Sequence, residues 1–181
     1  MTSANWAYGE PSSERNLDGY GAPMIPWEKV RDVLTRKVSQ EPGSGGPDRH
    51  TWWLATVRPD GRPHVMPLGV LQVDGGFYFT SGAGARKAKN LAQNPHCVIT
   101  VATHDFDLVL EGTAVRVTDP VTVARVAEAF RADGWPAAVD ASGPALTADY
   151  STPSAGPIHL EHLRTVEMPG ATHLSYRVVK Q

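Results

Sequence analysis

The segment Gly76–Leu91 (GFYFTSGAGARKAKNL) constrains this chain more than any other stretch of the sequence. It starts as an aromatic, apolar run that favours a β-strand, breaks at Ser81-Gly82-Ala83-Gly84, and resumes with good helix formers. A strand that passes through a small-residue turn into a helix presents free backbone N–H groups at the positive end of the helix dipole. The segment therefore predicts an anion site suited to a phosphate group.

Side chains around the turn favour the same interpretation. Thr80 and Ser81 are hydroxyl donors, Arg86 has a planar guanidinium that fits phosphate oxygens, and Lys87 is a point charge. Lys89 continues the basic row. The known phosphate fingerprints do not apply, because Lys87 stands where the dinucleotide motif has its third glycine, and no Gly-Lys-Ser/Thr is present. A surface turn before a solvated basic helix is the alternative interpretation.

The flanking sequence predicts mainly strands. Turn signals at Pro59-Asp60-Gly61 and Asp74-Gly75-Gly76 separate apolar runs. Strands are predicted at Trp52–Val57, Arg62–Val73, Cys97–Ala102, Leu108–Val117, Pro157–Met168 and Thr172–Lys180. Helices are predicted at Trp27–Val38, after Ala85, and from Asp119-Pro120 to Gly134, with Val139–Gly156 as a long loop.

The ordered set WLATVRPDGRPHVMPLGV, GFYFTSGAGARKAKNL, NPHCVITV and LVLEGTAVRVTDP resembles the flavin-binding split β-barrel proteins of the pyridoxamine-phosphate oxidase type. The resemblance covers roughly Trp52 to Pro120 and is closest to the branch that uses a deazaflavin coenzyme (factor 420 type) or FMN. It implies an α+β, mainly β fold: a split β-barrel with peripheral helices. We expect an N-terminal arm over residues 1–25 and a single barrel domain over residues 26–181.

The resemblance also implies roles for particular residues. Thr80, Arg86 and Lys87 would bind the cofactor phosphate. One edge of the isoalloxazine ring would lie along the backbone of five consecutive residues, His64, Val65, Met66, Pro67 and Leu68. Since proline cannot donate a ladder hydrogen bond, this strand must be irregular or lie at a sheet edge. Two features depart from relatives: Ala85 replaces a serine, and Ser175–Val178 replaces a more basic ending.

Composition narrows the possibilities further. The formal net charge is −2, so the overall field predicts no attraction to nucleic acid or to a membrane surface. No apolar run approaches membrane-span length, and the N-terminus lacks the order of a signal peptide. The lone Cys97 is expected to be a buried small hydrophobe. These features predict a cytoplasmic protein.

The segment His159-Leu160-Glu161-His162 invites a metal-binding interpretation, which we reject. On a strand, His159 and Glu161 would face one side and His162 the other. The spacing also differs from that of a helical zinc site. No metal site is therefore assigned, and no residue is named as catalytic.

The resemblance implies an oxidoreductase in which two subunits hold the cofactor between them and hydride passes to a small organic substrate. Because no strong general acid is visible, a non-catalytic carrier of flavin, deazaflavin or haem on the same barrel remains an alternative. A true pyridoxamine-phosphate oxidase would need more cations near its C-terminus than SYRVVKQ offers.

Overall fold

The computed structural model describes residues 13–16, 21–35, 50–135, 137–139, 146–148 and 154–165. Its helices are α1 (Trp27–Thr35), α2 (Arg86–Gln93) and α3 (Pro120–Ala132). Its strands are β1 (Trp52–Val57), β2 (Pro63–Leu68), β3 (Val70–Val73), β4 (Gly76–Gly82), β5 (His96–Ala102), β6 (Asp107–Arg116), β7 (Ala137–Val139), β8 (Leu146–Ala148) and β9 (Ser154–Thr165). The fold is mainly β with three helices in these ranges, which confirms the predicted fold class.

Seven of the strands form one sheet in the order β2-β1-β5-β6-β9-β4-β3, and every neighbouring pair is antiparallel. The strands at its two ends, β2 and β3, are joined by the single residue Gly69. Because one residue spans so short a distance, the sheet must curl until its ends approach each other. This curling gives the barrel, which is split between β2 and β3.

The single strand predicted over Arg62–Val73 is therefore wrong. The chain breaks it at Gly69, after which β2 pairs with β1 and β3 pairs with β4. The apolar run gave no sign of this break, because both halves are apolar and both are genuine strands. Glycine is required at the junction, since a β-carbon there would lie 2.9 Å from Cζ2 of Trp135.

Two apolar clusters lie on opposite faces of the sheet. The barrel interior holds one cluster, in which Leu54, Phe79 and Ile99 are fully buried and to which α1 contributes Val30. The second cluster lies between α3 and the outer face of β3 and β4, and includes Val73, Val123, Val126, Ala127 and Phe130. Helix α3 thus packs outside the barrel.

Capping and turn residues correctly predicted where α3 begins and where β3 turns into β4. Asp119 caps α3 by accepting a 2.8 Å hydrogen bond from the N–H of Thr122, and Pro120 is the first helical residue. The β3–β4 turn places Asp74 at φ 48° and Gly75 at φ 81°, a conformation that glycine adopts without strain. Arg125 of α3 forms an ion pair with Asp74 and so joins the helix to this turn.

Other boundaries differ from the prediction. The loop predicted over Val139–Gly156 is wrong, because β7 and β8 pair there as a short hairpin and β9 begins at Ser154. Strands of three residues are too short to show a periodicity. Helix α1 extends to Thr35, and the rest of the predicted helix to Val38 lies outside the described residues. The predicted strand Thr172–Lys180 and the ending Ser175–Val178 also lie outside them, and the domain division at residue 26 stays a prediction.

Candidate functional site

The N-terminus of α2 is left without a side-chain cap. Ala85 occupies the N-cap position in an extended conformation and makes no capping hydrogen bond, and the first turn carries no acidic residue. The turn before it is closed by the N–H of Ala85, which donates to the carbonyl of Gly82 at 3.0 Å. In contrast, α3 is capped by Asp119. The backbone N–H groups at the start of α2 are therefore available to an external acceptor.

Lys87 lies in the first turn of this helix and is partly buried. Burial lowers the pKa of its ammonium group, and no carboxylate among the described residues contributes to that pKa. Removing a cation from water without giving it a partner is unfavourable, and an anion beside it removes the penalty. Lys87 and the uncapped helix end therefore favour an anion at the same place.

The space around the turn is open. A β-carbon added to Gly84 would meet nothing within 4 Å. Arg86 and Lys89 are exposed and three residues apart, so they are neighbours on the helix surface. They extend the positive surface from the turn along the outside of α2.

The structure separates the two hydroxyls that were predicted to act together. Ser81 alternates with Phe77 and Phe79 on the interior face of β4 and is 3% exposed, whereas Thr80 alternates with Tyr78 on the other face. The register of β4 against β9 is irregular between Thr80 and Gly82. A ligand on one face of β4 therefore reaches one of these hydroxyls rather than both.

The strand predicted to line a ring lies at one end of the sheet order, as the argument from Pro67 required. Val65 and Pro67 are exposed on its outer face, whereas His64, Met66 and Leu68 are partly buried on the inner face. Because β2 is an end strand, the backbone N–H and C=O groups along one of its edges face no neighbouring strand in the described sheet.

A buried polar bridge connects α2 to β2 through β1. Asn90, which is fully buried, donates through Nδ2 to Oγ1 of Thr56 at 3.0 Å. Thr56 Oγ1 in turn lies 3.4 Å from both Nδ1 and the carbonyl oxygen of His64. The sequence interpretation missed Asn90 and Thr56. The available signal was that each polar residue stands at a core-facing position, Thr56 in alternation with Leu54 and Asn90 beside Leu91.

Cys97 and the histidine-containing segment singled out in the sequence have these positions. Burial raises the pKa of the Cys97 thiol to about 12, which fits the predicted small hydrophobe. The segment His159–His162 lies within β9. Among the residues that the structure describes, no three His, Cys, Asp or Glu side chains group around a possible metal position. None of the described helices is long and apolar enough to cross a bilayer.

Comparison with known proteins identifies the family. A family model described as pyridoxamine 5'-phosphate oxidase matches residues 46–148, which is more than half of the chain. The chain belongs to this family. The match includes β1 to β6, α2 and α3, and thus every residue of the site described above.

The individual protein to which this chain was matched by sequence is a distant relative. This chain is 34% identical over 68 residues to a pyridoxine/pyridoxamine 5'-phosphate oxidase of Bacteroides thetaiotaomicron, covering 36% of this chain and 32% of that protein. The chain thus matches about a third of the length of the curated relative.

Solved structures show the same fold. The conserved hypothetical protein Rv2991 of Mycobacterium tuberculosis superposes with a TM-score of 0.57 at 20% identity, covering 81% of this chain and 86% of that one. HupZ of Group A Streptococcus gives a TM-score of 0.52 at 14% identity, covering 82% and 98%. At such identities the likeness extends to the fold, which is the split barrel of this family.

Proposed function

We propose that this family member is an oxidoreductase that binds a flavin-type cofactor, with the cofactor phosphate at the N-terminus of α2 and the ring along β2. The observation that carries the proposal is Lys87, a partly buried cation in the first turn of a helix that has no side-chain cap. Both features favour one anionic ligand at the same position. Arg86 adds a guanidinium at the open side of the turn.

The position of β2 supports a single ligand that spans both places. Asn90 stands one turn after Lys87 on α2 and bonds to Thr56, which lies within 3.4 Å of His64. The phosphate end and the ring strand are therefore only a few side chains apart. The backbone of His64 to Leu68 would hold the ring edge, and its proline at residue 67 leaves room for a flat group in place of another strand.

A flavin or deazaflavin supplies the hydride chemistry, since its ring accepts and donates a hydride. The residues of this chain would bind and orient the cofactor. Lys87 and the N–H groups of α2 would anchor the phosphate far from the reacting atom, and β2 would fix the ring so that one face meets the substrate.

Of the two cofactors, we favour the deazaflavin coenzyme over FMN. Arg86 and Lys89 are exposed beyond the phosphate position and suit the acidic tail that FMN lacks. Replacing both with alanine should weaken the deazaflavin more than FMN in fluorescence titrations. Equal losses for the two cofactors would remove the reason for this preference.

The protein is proposed to act as a homodimer, on the evidence of an apolar outer face on β1 and β2. Register pairs Trp53 with Pro67, Ala55 with Val65, and Val57 with Pro63, all on this face. Trp53, Val57 and Val65 are 45%, 39% and 57% exposed. Monomeric proteins rarely expose a continuous apolar surface of this kind. A second copy would cover it, and would then lie beside the ring strand.

A turnover assay distinguishes an oxidoreductase from a non-catalytic cofactor carrier. Oxidation of the reduced cofactor in the presence of a panel of small organic acceptors should be accelerated by the protein. Tight binding without acceleration by any acceptor would support the carrier alternative, and a Soret band on adding haem would redirect the proposal to haem. A cytoplasmic location is part of the proposal and is consistent with a lone, buried cysteine.

A further inference from the structure

Two polar side chains on the interior face of the barrel have buried atoms that lack a hydrogen-bonding partner. The indole of Trp52, on β1, belongs to the interior cluster and is 3% exposed, and its Nε1 bonds to no group in the described part of the chain. The side-chain amide of Gln72, on β3, is buried at both Oε1 and Nε2, and neither atom has a partner among the described residues. Burying such groups without a hydrogen bond is unfavourable, so both side chains favour a polar molecule beside them.

These two side chains are neighbours of the same phenyl ring. Gln72 lies directly opposite Phe77 in the β3–β4 ladder, which places the two side chains next to each other on one face. That face is the barrel interior, because Phe77 and Val70, which precedes Gln72 by two positions, belong to the interior cluster. The ring of Phe77 contacts the indole of Trp52, with the ring centroids 6.0 Å apart. Trp52 and Gln72 therefore line the same part of the interior.

The hydrogen-bonding groups of the two side chains select the molecule that fits between them. An indole N–H only donates, whereas the amide offers an acceptor, Oε1, and a donor, Nε2. A molecule that joins the indole to Oε1 must accept one hydrogen bond and donate another. An ion would be costly there, because Val70, Phe77 and the other members of the cluster are apolar. Water accepts and donates, is small, and carries no charge.

We propose that the barrel interior binds a water molecule that accepts a hydrogen bond from Nε1 of Trp52 and donates one to Oε1 of Gln72. Nε2 of the same amide then donates to a second water beside the first. The bridge has a structural consequence, because β3 is one end strand of the sheet and β1 is the neighbour of the other end strand, β2. The water therefore links the two sides of the split from inside the barrel. This inference goes beyond the proposed function and does not depend on it.

The test is a pair of ¹⁵N-edited spectra, NOESY and ROESY, that detect contacts between water and the indole N–H protons of the full-length apo-protein. The Trp52 signal is identified by its loss in Trp52→Phe. Contact with a bound water gives cross-peaks of opposite sign in the two spectra, whereas hydrogen exchange with solvent gives the same sign in both. We predict opposite signs for Trp52. Trp135 is the control and should show no bound water, because its Nε1 donates to Oδ2 of Asp133.

A glutamine-to-methionine substitution tests the other side of the bridge. Gln72→Met removes the amide and keeps the approximate length of the side chain, so the water loses its acceptor and its cross-peaks with Trp52 should disappear. Gln93→Met is the matched control, because Gln93 is exposed at the end of α2, and this variant should keep the cross-peaks.

Absent or same-sign cross-peaks for Trp52 in the wild type would overturn the proposal. Bound-water cross-peaks that persist in a folded Gln72→Met protein would overturn it as well. If Gln72→Met does not fold, the signs in the wild-type spectra still decide the matter. Because the spectra need no cofactor, their failure is separate from failure of the cofactor proposal, which is tested by titration.

Discussion

The indole of Trp135 lies directly against Gly69, at the junction of β2 and β3. A β-carbon on Gly69 would come within 2.9 Å of Cζ2 and 3.2 Å of Cε2 of that ring. Trp135 packs on the cluster under α3, and its Nε1 donates to Oδ2 of Asp133 at 3.2 Å. Trp135, three residues beyond the end of α3, thereby packs at the place where the chain passes from one end strand of the sheet to the other.

Gly69→Ala should destabilise the protein by about 1–3 kcal/mol, since the indole has to leave its packed position to admit a methyl group. Gly84→Ala is the matched control, because a β-carbon there meets nothing within 4 Å. Urea unfolding of both variants measures the effect. Equal stability of Gly69→Ala and Gly84→Ala would contradict the packing at the junction.

This junction shows what the sequence could not reveal about the fold. The strands and turns around it were predictable, because proline, aspartate and glycine mark turns chemically. The split at Gly69 depends on Trp135, a residue far away in the chain, so no local sequence pattern predicts the split. The same reason explains why β7 and β8 were missed, since short strands are stabilised by their partners rather than by their own sequence.

Anion binding should depend on pH through Lys87. Burial lowers the pKa of Lys87 below 10.5, and a bound phosphate favours the charged ammonium. Affinity is therefore greatest below the lowered pKa and falls as the pH rises through it. The ratio of FMN to riboflavin affinity measures the phosphate contribution, because the ionisation of the shared ring cancels.

Lys87→Arg supplies the control, since a guanidinium stays charged throughout this range. Its affinity ratio should stay constant over the pH interval in which the wild-type ratio falls. In the apo-protein the sign is opposite: the unfolded chain binds more protons at Lys87, so the contribution of Lys87 to the free energy of unfolding rises with pH over the same interval. A wild-type affinity ratio that does not change with pH would exclude Lys87 from the phosphate site.

The thiol of Cys97 should be inert in the folded protein. Burial raises its pKa from 9.0 to about 12, so almost no thiolate exists at pH 8, and the side chain is 5% exposed. A chromogenic disulfide reagent should react slowly in buffer and fast in urea. Between pH 9 and about 12 the folded state retains a proton on Cys97 that the unfolded state loses, so the contribution of this thiol to stability falls as the pH rises there. Rapid reaction in buffer would contradict the burial.

Val65→Asp should dissociate the proposed dimer, because it places a charge at the centre of the apolar face on β1 and β2. Val121→Asp is the control, since Val121 is 65% exposed on α3, away from that face. Sedimentation velocity measures the result. A dimeric Val65→Asp protein, or a Val121→Asp protein that dissociates, would place the interface elsewhere.

As with the fold, part of the candidate site could be predicted from the sequence and part could not. The glycine turn and the row of Arg86, Lys87 and Lys89 are contiguous, so one segment of sequence was enough to predict them. The bridge through Asn90 and Thr56 joins residues that are 34 positions apart, and each alone looks like an ordinary polar residue in an apolar element. The break predicted at Ser81 is wrong, because β4 continues to Gly82, and the pleat of the strand then places Thr80 and Ser81 on opposite faces.

In the proposed complex, a phosphate of a flavin-type cofactor binds Lys87 at the start of α2. Fluorescence titration of wild type and of Lys87→Met with FMN and with the deazaflavin coenzyme tests it. We predict that at least one cofactor binds the wild type, and that Lys87→Met weakens it by about tenfold or more, as loss of a charged hydrogen bond of about 1.5–3 kcal/mol implies. Absence of binding by both cofactors, or equal affinity in a folded Lys87→Met protein, would contradict the claim.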